Sequence, residues 1–120
     1  MDDIPTALQW RLKVTTCLHR VTAAERRFAA SMRVNEITML AAADELEAAT
    51  REAESWLAAN PCPDLKLGTH ISWMLNTCVE VALTAQRAIT DPYADTEAVM
   101  NRLRDLLVTI DFHAQTLDTW

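Results

Sequence analysis

At 120 residues the chain has the length of one domain, spanning 1–120, and can bury roughly two-thirds of the surface its unfolded form exposes, so no disulfide framework or structural metal is needed to hold it. Its 19 alanines and single glycine, where average usage of about 7% glycine would give roughly eight, favour long helices. The net charge of −6 opposes nonspecific binding to nucleic acid or anionic membranes, which relies on many lysines and arginines.

The acidic opening MDDIPTALQW is unlike the basic start of a secretory signal. No run of ~18 apolar residues follows that could span a bilayer, and a cytoplasmic location is expected. Cys17, Cys62 and Cys78 are odd in number and irregularly spaced, which fits reduced thiols.

In chain order, a 3–4 apolar spacing from Trp10 through Val14, Cys17, Val21, Ala24 and Phe28 to Ser31 predicts one uninterrupted helix. Thr22-Ala-Ala-Glu25 has the form of a capping box, but the stripe passes through it, so it is read as a coincidence inside that helix. After a break near SMRVNE, Asn35 is a candidate N-cap. The second helix then carries Met39, Ala42, Leu46, Ala49, Ala53 and Trp56 on one face and stops at Asn60-Pro61 and Pro63.

A third helix begins between Asp64 and Thr69 and buries Leu67, Ile71, Met74, Cys78, Val81, Ala85 and Ala88, with Leu75, Ala82 and Ile89 widening the stripe. It ends before TDPYAD. The fourth starts at Asp91-Pro92 or at Asp95, and its stripe is Thr96, Val99, Leu103, Leu106, Ile110, His113, Leu117 and Trp120. Four such helices with short connections describe an all-α, up-down-up-down antiparallel four-helix bundle. Residues 10–33 hold six basic side chains against Glu25 alone, and residues 36–59 hold six acids against Arg51 alone, which makes the first two helices electrostatic neighbours.

Catalytic spacings are missing: there is no Glu-x-x-His, no His-Glu-x-x-His, no Cys-x-x-Cys and no glycine-rich phosphate loop. Neither an enzyme nor a cofactor is therefore expected. On helical wheels Trp73 points away from the stripe of its helix, Val79 and Leu83 lie outside that stripe, and Val108 and Phe112 share the outer face of the fourth helix. Apolar residues collected on the outside of adjacent helices read as a partner or dimer surface.

Two further groupings emerge when the helices are aligned by their ends. Trp10, Trp56 and Trp120 fall at one end, as an aromatic plug or a pocket for a flat apolar ligand; the plug is the simpler reading. Cys17, Met74, Cys78 and His113 fall near one level, where soft donors could hold Cu(I), Zn or haem, although buried cysteine and histidine usually just pack. His19 reads as an ordinary surface residue.

The expectation that follows is a non-enzymatic regulatory or protein–protein interaction protein. It would self-associate as a homodimer, or dock a protein partner, through helices three and four, with neither nucleic acid nor membrane as a partner. One alternative is a small-ligand or metal sensor using the tryptophan end or the sulfur–imidazole layer. Another is an acidic inhibitor of the phage-encoded or antitoxin-like kind, whose Asp44, Glu45, Glu47, Glu52 and Glu54 imitate nucleic-acid phosphates.

Overall fold

The computed structural model describes residues 7–118, and its secondary structure is four helices: α1 (Ala7–Ser31), α2 (Glu36–Ala59), α3 (Leu65–Thr90) and α4 (Thr96–Asp118). Side-chain caps set the starts. Asn35 Oδ1 accepts from the Thr38 N–H at 2.8 Å, Asp64 Oδ1 from Leu67 at 3.0 Å and Asp95 Oδ1 from Ala98 at 3.1 Å, each satisfying a first-turn donor that has no intrahelical partner. Asp91 is spent on the turn, where it accepts from the Tyr93 N–H at 2.9 Å. Asp95, not Asp91-Pro92, therefore begins α4. Helix α1 passes unbroken through residues 22–25, and the Thr22 hydroxyl bonds back to the His19 carbonyl at 3.1 Å instead of capping.

Short loops join consecutive helices, and α1 with α2, α2 with α3 and α3 with α4 pack closely side by side, which makes an all-α antiparallel four-helix bundle. Phe28, Leu46, Ile71, Leu103 and Ile110 are fully buried, at least one from each helix. Truncating any of them to alanine costs about 2–5 kcal/mol through lost burial and residual cavity. The stripes of α3 and α4 match their spacing in the middle of each helix, from Ile71 to Ala85 and from Leu103 to His113, while Leu67, Ala88, Val99 and Leu117 are half-buried and Thr96 is exposed; the stripes of the other two helices are rotated. Leu18 takes the core place expected of Cys17, which is half-buried, and Ala43 and Thr50 replace Ala42 and Ala49. Each shift is one residue, about 100° on a helix, which a run of alanines does little to resist.

The charge complementarity of α1 and α2 is used. Arg20 meets Glu52 at 2.9 Å, Arg27 meets Glu45, and Arg102 of α4 pairs with Glu80 of α3. Among the described residues, no helix is long and apolar enough to cross a membrane. The fourth side of the bundle is different, because α1 and α4 touch only sparsely. Helix α1 presents Arg11, Thr15, His19, Thr22 and Arg26 along that edge, a polar row that cannot interlock with α4 as apolar stripes do elsewhere.

Candidate functional site

On the outer side of α3 and α4, four aromatic rings surround one another. His70 and Trp73 lie one turn apart on α3, and Phe112 and His113 are adjacent on α4. His113 is the hub, with ring centroids 5.7 Å from His70, 5.7 Å from Trp73 and 5.5 Å from Phe112. His70 meets Trp73 edge-on at 5.9 Å. The exposures differ sharply: His113 is 7% exposed, while Trp73 is 54% and Phe112 62% exposed. Val108, one turn before Phe112, is also open to solvent. Two large apolar side chains thus stand in water on either side of a buried imidazole.

The two histidine Nδ1 atoms are 3.5 Å apart. Burial first, and then the neighbouring His70, hold His113 below the ordinary imidazole pKa. His113 is accordingly neutral at pH 7, and one ring N–H can bridge the pair.

Val79 and Leu83 do not extend this cluster. Both are half-buried, on the edge of α3 that also carries Gln86, whose amide reaches across to Asp44 at 2.9 Å and Glu47 at 3.1 Å on α2. The five residues expected to form one patch are therefore divided between two flanks of α3. Trp73, Val108 and Phe112 belong to the α3–α4 face; Val79 and Leu83 belong to the α2 side.

The proposed sulfur–imidazole layer is also divided. His113 faces His70, Met74 is fully buried and lines the floor of the α1–α4 seam, Cys17 is half-buried, and Cys78 sits about two turns along α3 from His70. Among the described residues, no three histidine, cysteine, aspartate or glutamate side chains gather where one metal could bind them.

Cys78 belongs to a polar layer that the sequence reading missed. The Thr50 hydroxyl of α2 donates to the Leu46 carbonyl at 2.7 Å and leaves its oxygen beside the Cys78 thiol, Glu25 of α1 lies close by, and Asp111 of α4 hydrogen-bonds Glu25. Each helix contributes one polar residue. Glu25 is 4% exposed, and its carboxyl is pushed up to about 8 by burial, then by the hydrogen bond and charge of Asp111. The Cys78 thiol is pushed up to about 12, chiefly by burial. Such a layer holds protons in place; it does not generate a thiolate nucleophile. The signal was in view: Glu25 is the one acid among six bases, four residues after Val21 and three before Phe28 on the apolar stripe.

At the tryptophan end, the Trp10 indole donates to the Asn60 carbonyl at 2.8 Å, and the Trp10 and Trp56 rings lie 6.1 Å apart. Trp10 is buried and its N–H satisfied, as a plug requires. Trp120 lies outside the described residues. Gly68, in the first turn of α3, lets the loop residue Cys62 pack close, since a side-chain carbon there would stand 3.3 Å from Cys62 Cβ.

Asp44, Glu45, Glu47, Glu52 and Glu54 of α2 are each engaged by a neighbouring side chain instead of standing free as a row. Glu45 and Glu52 pair with α1, Glu47 and Glu54 with Arg51, and Asp44 and Glu47 with Gln86. The α1–α4 seam, finally, encloses a groove of about 330 Å³ with Val14, Leu18, Ile71, Met74 and Leu117 on its apolar floor and walls.

No family model, curated protein or solved structure matches the chain.

Proposed function

We propose that the protein is a non-enzymatic interaction module that self-associates through the α3–α4 face, with Trp73 and Phe112 as anchors. The observation that carries this reading is the exposure of those two rings on either side of the buried, ring-packed His113. Tryptophan is enriched among the residues that dominate interface energy, and an aromatic ring buries about 150–250 Å² when covered. Packing against His70 and His113 pre-orients Trp73, which lowers the entropy lost when a second surface covers it.

In a two-fold dimer the same patch meets itself, so one substitution removes two anchors. Truncating a central aromatic costs about 2 kcal/mol or more, and each 1.4 kcal/mol is about tenfold in dissociation constant. Trp73→Glu and Phe112→Glu are expected to give helical monomers at micromolar concentration, measured by light scattering alongside circular dichroism. Variants that keep the wild-type dimer mass would rule this face out. A wild type that is monomeric at every concentration would rule out self-association.

A further inference from the structure

A second surface lies on the opposite flank of α4 and owes nothing to the aromatic face. The geometry points to the α1–α4 seam as a binding groove for a free amphipathic anion, an unbranched apolar chain ending in a carboxylate.

Size selects the chain. The groove holds about 330 Å³, the lower end of the ~300–1,000 Å³ range of small-ligand sites, and its α1 lining runs ~22 Å from Arg11 to Arg26 at 1.5 Å per residue, so a slender, extended chain matches its shape. The apolar lining offers such a chain continuous contact: Val14 and Leu18 from α1, Ile71 and Met74 from α3, Leu117 from α4.

Charge selects the head group. Arg20 and Arg27, on the other edge of α1, are paired with α2, whereas among the described residues neither Arg11 nor Arg26 makes an ion pair. Both line the groove, with His19 between them. Among the described residues of the lining, Asp118 is the one acid, against two arginines. Next to Arg26, Glu25 shares its environment with Asp111 and stays protonated at pH 7, so that pair does not add two negative charges. The groove therefore combines an apolar trough with a net cationic rim.

Titration calorimetry with decanoate, below its micellar concentration, tests this. One site per chain is expected, with at least tenfold weaker binding of decyltrimethylammonium. The Arg11→Gln/Arg26→Gln double variant should lose at least tenfold in decanoate affinity, and Ala114→Phe, which fills the groove, should abolish binding while the helical spectrum is kept. Equal affinity for the two head groups, uptake at several sites, or decanoate binding that survives Ala114→Phe would overturn the assignment, as would the absence of binding heat. Binding to phosphatidylglycerol vesicles without binding free decanoate would equally overturn it, by placing the anion in a membrane. None of these outcomes depends on whether Trp73 anchors a dimer.

Discussion

Glu25 ties the stability of the bundle to pH. Its unfolded form releases a proton near the ordinary value of 4.5, while the folded form holds it to about 8. The stabilising contribution is therefore complete below 4.5, falls as pH rises, and is lost above about 8. Glu25→Gln keeps the hydrogen-bonding shape without the ionisation. It should raise the melting temperature at pH 8 relative to wild type and flatten the wild-type decline between pH 4.5 and 8. Melts that fall in parallel across that range would show that the slope originates elsewhere. Cys78, in the same polar layer, makes a complementary case. It is fully buried, and aspartate in its place would add a carboxylate beside Glu25. A loss on the order of 3 kcal/mol or more is expected from chemical denaturation, because buried charge without a counterion is costly. In the native protein a thiol reagent should modify Cys17 and Cys62, both half-buried, well before Cys78.

At the scale of the helices, the interfaces divide into three that interlock and one that stays open. His113 joins α3 to α4 in its neutral form, so its contribution is complete above the ordinary imidazole value of 6.5 and lost as pH falls below it. His113→Leu should remove that acid-side loss, read as the difference between wild-type and variant melting temperatures from pH 7 to 5. The α1–α2 ion pairs are exposed on both sides, so Arg27→Ala should cost less than about 1 kcal/mol.

Helix positions were legible because Asn35, Asp64 and Asp95 are capping residues placed just before apolar periodicity resumes. Rotation was less legible. In α2 the alternatives Ala42 and Ala43 are the same residue type, and only packing in the assembled core decides between them. Trp73 and Phe112 were readable as outward-facing aromatics, since each stands opposite a strong stripe. Their junction through His70 and His113 was not, because it depends on the relative height of two helices. The seam was hidden for a similar reason: Arg11, Thr15, His19, Thr22 and Arg26 form a row on α1, but what they face depends on how loosely α4 closes the bundle.

For the molecule as a whole, the consequence is a bundle with one cationic trough and, on another flank, one exposed aromatic face. Self-association should cover the second and leave the first open. The most direct measurement places the probe on Trp73 itself: fluorine NMR of protein carrying 5-fluorotryptophan, with the Trp73 signal assigned through Trp73→Phe, recorded over a dilution series from millimolar to low micromolar. Because Trp10 is buried and Trp56 is half-buried against it, their signals should hold steady while that of Trp73 moves along a monomer–dimer isotherm. A Trp73 resonance that does not change across the whole series would contradict an interface on the α3–α4 face.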